Sequence, residues 1–160
     1  MQKQGSGGFY DLAETPLGLL YLVFTSGAVS SIEFSKPDIL PKKDCPTEAR
    51  KELVEYFERS RREFTCKTVF LKGTEFEKRV WQTLREIPYG ETRTYKWLAA
   101  KIGSPHACRA VGNALGKNPI PIIFPCHRII EADGSPGGYS PGREMKIRLL
   151  EIEYYTKSSI

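Results

Sequence analysis

Cys126 and His127 stand side by side in the decapeptide IIFPCHRIIE, residues 122–131, just after a proline and among large apolar residues. A free cysteine is most often a small packing residue. Beside an imidazole it can also be a nucleophile, because the thiolate is the reactive form and only a few per cent of an ordinary thiol is ionised near pH 7. Pro119, Pro121 and Pro125 block a regular ladder or helix, so the sequence predicts a stiff, mostly extended strap here. Neighbouring side chains of such a strap point to opposite faces, and a proton passing from Cys126 to His127 then calls for a bridging water. The imidazole in turn needs a carboxylate to fix its tautomer. Glu131, Glu144, Glu151 and Glu153 are available, and spacing does not choose among them.

Four chemistries compete for the thiol. A zinc site needs several ligands at characteristic spacings; Cys45, Cys66 and Cys108 are scattered with no C-x-x-C pair, and no metal is expected. A phosphatase-type loop would place an arginine six residues after the cysteine, where this chain has Ala132. A cysteine hydrolase needs a spatially separate histidine, and the other one is His106. There remains a thiolate that accepts an alkyl group, which requires activation, a pocket and a way of bringing the alkylated group into it. No motif for a regenerating cofactor is visible, so no cofactor is expected.

The charge distribution bears on what the chain meets. Residues 1–72 hold 11 basic and 10 acidic side chains, and residues 73–160 hold 13 and 9. Between 92 and 130 there is no Asp or Glu, against Arg93, Lys96, Lys101, Arg109, Lys117 and Arg128. Such a segment suits a polyanion, since each phosphate contact releases condensed counterions. The scattered cysteines favour a reducing compartment, with a Cys45–Cys66 bridge left open. No apolar run approaches the roughly 20 residues of a membrane span. The N-terminal stretch lacks an apolar signal core and contains QGSGG, a flexible lead-in.

The elements that must position the thiol fall into an α+β arrangement of two parts, 1–72 and 73–160. In the first, GLLYLVFT reads as a central strand and a Ser26-Gly27 turn leads to AVSSIEFS. A proline-punctuated loop, a helix from Thr47 and a further strand at KTVFL complete a supporting unit. In the second, Thr74 and Glu77 form a capping box before an apolar stripe of Phe76, Val80, Leu84 and Ile87. TYKWLAAKIG is a short helix closed by Gly103, and Ser104 and Pro105 suit the start of another, HACRAVGNALG. Two short helices separated by three or four residues resemble a helix-turn-helix. On the second, Ala107, Ala110, Val111, Ala114 and Leu115 cluster inward, opposite Arg109, Gly112, Asn113 and Gly116. Helix glycines cost roughly 1 kcal/mol each against Ala, and close approach of another backbone would account for them. A terminal helix carries Met145, Leu149 and Ile152 on one side, and the Gly/Pro/Ser loop before it is a natural pocket wall.

NPIPIIFPCHRII, preceded by TYKWLAAKIGSPHACRAVGNALGKNP and followed by GGYSPG and the terminal helix, closely resembles the O6-alkylguanine-DNA alkyltransferases (methylated-DNA–protein-cysteine methyltransferases) over about residues 74–153. The resemblance implies a small ribonuclease-H-like α/β domain followed by a helix-turn-helix, winged-helix-like catalytic domain. It implies direct reversal of damage, in which O6-alkylguanine, and also O4-methylthymine, is flipped out of duplex DNA and its alkyl group passes irreversibly to Cys126. It makes His127 the water-relayed base, Glu153 its orienting carboxylate and Asn118 the brace of the cysteine strap. Arg109 is the residue that fills the vacated stack, and Tyr95 crowds the phosphate beside the flipped nucleotide. Gly112, Lys96 and Arg128 join the DNA face, while Tyr139, Ser140, Lys146 and the Ile129 carbonyl line the guanine pocket. The family often has Ser-Gly-Gly after the loop tyrosine, where this chain has Ser140-Pro141-Gly142, which stiffens and narrows the wall. A monomer, without membrane association, in the cytoplasm or on the nucleoid is expected. The alternative is a non-catalytic sensor of alkylated DNA, although a pure sensor needs no thiol.

Overall fold

A computed structural model of the chain describes residues 8–38, 40–43 and 45–158, with side chains through Tyr155. The lead-in before Gly8 lies outside them. The chain divides into two compact units, Met1–Leu71 and Lys72–Ile160.

In the first unit, strands β1 (Phe9–Thr15), β2 (Gly18–Thr25) and β3 (Ala28–Glu33) form an antiparallel sheet in the order β1-β2-β3. Ser26 and Gly27 both have positive φ, 52° and 83°, as a tight hairpin turn that matches strand twist requires. Strand β2 is central, but its burial is one-sided: Leu20, Leu22 and Phe24 face the core while Leu19 is 45% exposed. Helix α1 (Glu48–Phe57) packs on β1. Thr47 caps it by accepting from Arg50 N, and the buried Asp11 carboxylate of β1 accepts from Thr47 N and Oγ1 at 2.8 and 2.7 Å.

The strand expected at KTVFL is reduced to one bridge, Thr68 to Val29. Just upstream, Thr65 N and Cys66 N bond the buried Glu52 carboxylate at 3.0 Å each, so those donors serve a side chain instead of extending a ladder. Among the described residues no disulfide joins Cys45 to Cys66.

The second unit begins with α2 (Glu75–Thr83), whose capping box between Thr74 and Glu77 is complete. Val80, Leu84 and Ile87 are buried, with Leu84 already in a 3-10 turn that ends the helix. Strand β4 (Arg93–Thr94) leads directly into α3 (Tyr95–Lys101), capped by Thr94 Oγ1 and closed by Gly103 at φ 84°.

Helix α4 (Cys108–Gly116) starts later than Ser104 and Pro105 suggest. Ala107 N donates to Ser104 O at 2.9 Å, closing a separate turn, so the connection spans 102–107. Val111 and Ala114 are buried on α4, but Ala110 is exposed and Leu115 only half-buried. Trp81 Nε1 donates to Ala114 O at 2.7 Å, fixing α4 against α2.

The segment between α4 and β5 (Ile129–Ile130) is folded rather than extended. Ile122, a buried β-branched residue, has φ 75°, a region costing roughly 1–3 kcal/mol for such a residue. Phe124 N donates to Ile120 O at 3.0 Å, and Cys126–Arg128 form a 3-10 turn. With three proline nitrogens unable to donate, Asn118 supplies the missing polar links: Nδ2 donates to Phe124 O at 2.8 Å and Oδ1 accepts from Ile120 N at 2.9 Å. β5 pairs in parallel with β4, Arg93 opposite Ile129, and α5 (Arg143–Ser158) closes the unit.

Candidate active site

The β4–β5 pairing positions the chemistry. It sets Tyr95, the first residue of α3, next to the chain that leaves the Cys126 turn. Tyr95, Gly112, Leu115, Gly116, Cys126, Gly138, Tyr139 and Ser140 surround a cavity of about 330 Å³. A side chain at Gly137 would be strained: its φ is 77°, and a Cβ would lie 3.0 Å from the Tyr95 hydroxyl and 3.1 Å from Glu131 Oε2. Gly112 and Gly116 differ, since a Cβ there would meet Tyr95 Cε1 at 4.0 Å and Ser140 Oγ at 3.7 Å, both ordinary contacts. Packing within the chain does not require those two glycines. Ser140 Oγ donates to Gly116 O at 2.8 Å, joining the pocket loop to the end of α4.

Cys126 is 6% exposed at the cavity wall. Burial pushes its thiol up to about 11, against the opposing pull of the Asn118 hydrogen bond and the nearby Lys146 charge. The resting thiol is therefore protonated near pH 7. Behind it His127 is fully buried, and its Nε2 lies 2.7 Å from Glu153 Oε2. Burial drives the imidazole below its ordinary range although Glu153 pulls it up, so it is neutral near pH 7. A neutral imidazole facing a carboxylate through Nε2 carries its proton there. That leaves Nδ1 as the basic nitrogen, and Nδ1 is buried with no hydrogen-bond partner among the described residues.

Glu153 is 1% exposed, and burial alone would raise its carboxyl. His127 and Arg128 overcome this and hold it well below the usual carboxylate range. Arg128 Nε and Nη2 reach Glu153 at 2.9 and 3.0 Å, Arg128 Nη1 donates to Ile87 O at 2.8 Å, and Gly90 N donates to Glu153 Oε1 at 3.2 Å. Arg128 was expected on the DNA face; it is buried and its guanidinium is engaged within the protein. Lys146 and Ile129 were expected to line the pocket. Both are buried, and the Ile129 carbonyl accepts from Lys146 Nζ at 2.6 Å. The Tyr139 hydroxyl is buried and has no hydrogen-bond partner among the described residues, and desolvation raises its ionisation well above the ordinary value.

Besides Arg128, three basic residues of the acid-free segment pair with carboxylates from outside it. Arg93 pairs with Glu91 at 2.9 Å, Lys101 with Glu86 at 3.3 Å and Lys117 with Glu77 at 3.4 Å. Lys96 and Arg109 are exposed beside the cavity-lining residues Tyr95 and Gly112, with no carboxylate partner among the described residues.

A mixed α/β protein with a pocket-lining thiol, backed by a buried histidine–glutamate pair and flanked by a glycine-bearing helix, is the class this fold and site define. Residues 75–155 match the family model of the 6-O-methylguanine DNA methyltransferase DNA-binding domain. A methylated-DNA–protein-cysteine methyltransferase of Methanosarcina barkeri is 42% identical over 153 residues, covering 91% of this chain and 96% of that protein. The constitutive enzyme of that name from Bacillus subtilis is 40% identical over 157 residues, covering 91% and 94%. The structure of Mycobacterium tuberculosis OGT in complex with DNA superposes with a TM-score of 0.86 at 39% identity, covering 92% of this chain and 94% of that one. The chain belongs to the methylated-DNA–protein-cysteine methyltransferase family.

Proposed function

We propose that this chain repairs DNA by direct reversal, moving the alkyl group of O6-alkylguanine, and of O4-methylthymine, irreversibly onto Cys126. The observation that carries the reading is the placement of the Cys126 thiol on the cavity wall, in the same short turn as the buried His127 that bonds Glu153. The target carbon lies on a base inside the duplex, so the nucleotide is flipped out at a cost of a few kcal/mol. Arg109 fills the vacated stack, and Lys96 and Arg109 meet phosphates. Gly112 and Gly116, which packing within the chain does not require, allow a DNA backbone close to α4, which works with α3 as a helix-turn-helix of winged-helix type. Tyr95 crowds the neighbouring phosphate. Tyr139 and Ser140 hold guanine in the cavity. Residues 1–72 form a supporting ribonuclease-H-like domain.

Because the thiol begins protonated, deprotonation accompanies attack. His127 Nδ1 takes the Cys126 proton through one water while Glu153 stabilises the imidazolium that forms. Sulfur bonds to the alkyl carbon, the carbon–O6 bond breaks, and guanine leaves with that electron pair and is protonated. The thioether is not reversed by cellular thiols, so each molecule acts once. The sensor reading is not favoured, since relatives matching nine-tenths of the chain are named for methyl transfer. The protein works as a monomer in the cytoplasm or on the nucleoid.

Intact-mass spectrometry after incubation with excess duplex tests this. One added methyl group per molecule is expected from duplexes carrying O6-methylguanine or O4-methylthymine, and none from unmodified duplex. No mass gain from O6-methylguanine would overturn the reading.

A further inference from the structure

Lys146, on α5, is 1% exposed. Its Nζ donates to Ile129 O at 2.6 Å and to Gly138 O at 3.1 Å. Ile129 directly follows the Cys126–Arg128 turn, and Gly138 lines the cavity beside Tyr139. One ammonium therefore ties the back of the nucleophile turn to the pocket wall. Among the described residues no carboxylate lies within ion-pairing distance of it, although an ammonium buried without one is costly. Two carbonyls can be satisfied by any neutral donor, so the charge itself needs another use. The charged and titratable groups facing it are Cys126 and His127 from the turn and Glu131 from the loop after β5. Of these, the Cys126 sulfur is the one that must become negative during reaction. Burial pushes the Lys146 ammonium down to about 8 while Cys126 and Glu131 oppose the shift, so it remains mostly charged at neutral pH.

We propose that Lys146 is a positioning residue for the transfer: it pins Gly138 of the pocket wall to Ile129 behind the nucleophile and supplies the positive charge that favours the Cys126 thiolate. The proposal rests on Cys126 being the alkyl acceptor. A chemical probe separates the two ideas. Iodoacetamide alkylates a thiolate directly, the sulfur displacing iodide and the thiol proton passing to solvent, so its rate reports the thiolate without DNA. Cys45 and Cys108 are exposed, and labelling is therefore followed at the Cys126 peptide by mass spectrometry.

Lys146→Gln keeps a donor for the carbonyls and removes the charge. Labelling of Cys126 should slow about tenfold at neutral pH, with its pH profile displaced upward by about one unit, and methyl transfer from DNA should fall in parallel. Lys146→Arg, which keeps the charge, should label within about threefold of the native rate, the margin allowed for displaced geometry. A folded Lys146→Gln variant with the native profile would overturn the proposal, as would a Lys146→Arg variant equally slow. Should Lys146→Gln fail to fold, the Lys146→Arg profile decides alone, native-like in support and displaced in contradiction. Native protein that accepts no methyl group from DNA would overturn the acceptor reading instead, whatever the iodoacetamide rates.

Discussion

Replacing Glu153 by Gln tests the centre of the site. The carboxylate receives His127, both Arg128 contacts and the Gly90 amide within a buried space. A glutamine keeps one acceptor oxygen but turns an NH₂ group toward donors, and it leaves the Arg128 guanidinium, 6% exposed, without its counter-charge. Removing one partner of a buried ion pair costs about 3–5 kcal/mol, a large share of the roughly 5–15 kcal/mol that holds a domain together. At roughly 2–4 °C per kcal/mol for a chain of this size, the melting temperature should drop by about 6–20 °C. Urea unfolding and calorimetry measure both quantities. The double variant Arg128→Met with Glu153→Gln, which removes both charges, should recover most of the loss, because the two sites are coupled. Transfer should slow about 100-fold in the single variant as His127 loses its orienting carboxylate. A Glu153→Gln protein as stable as the native one would refute the claim that Arg128 depends on this carboxylate.

Three further outcomes follow from the same geometry. Arg109→Ala should bind undamaged duplex only modestly more weakly, yet transfer from duplex should fall sharply and transfer from free O6-methylguanine much less; equal slowing on both substrates would make Arg109 a pocket support. Lys96→Ala should reduce the slope of log affinity against log salt by about 0.9, whereas Arg128→Met, a buried site, should leave that slope unchanged; filter binding across a salt series distinguishes them. His127 has a folded pKa below its unfolded value of about 6.5, so the unfolded chain binds the extra proton first. Its contribution to stability should be complete above about pH 6.5 and lost as pH falls toward the folded value. Melting temperature between pH 7 and 5 should therefore decline, and His127→Asn should flatten that decline.

The parts of the molecule governed by local rules could be read in advance. The Ser26-Gly27 turn, the Thr74–Glu77 capping box and the Gly103 helix stop each depend on a few adjacent residues, and all three form as expected. What escaped the sequence depends on distant partners. Three prolines suggest an extended strap, but the Asn118 side chain clips that segment into turns and holds Ile122 at positive φ. Arg128 looks like a surface cation until Glu153, 25 residues later, is folded against it. Lys146 and Glu153 share the buried side of α5 with Leu149 and Ile152, and a search for an apolar stripe passes over both. The acid-free segment overstates the DNA-facing charge because Glu77, Glu86 and Glu91 lie outside it in sequence yet pair with its cations.

The most direct test of the account is where the methyl group ends. Native protein and Cys126→Ala are incubated with duplex carrying tritium-labelled O6-methylguanine, digested with protease, and their peptides separated and counted, with duplex binding measured in parallel. Label is expected on the peptide containing Cys126 alone in the native protein, and none on Cys126→Ala, which still binds the alkylated duplex. Label retained by Cys126→Ala, or found on the Cys108 peptide of the native protein, would contradict it.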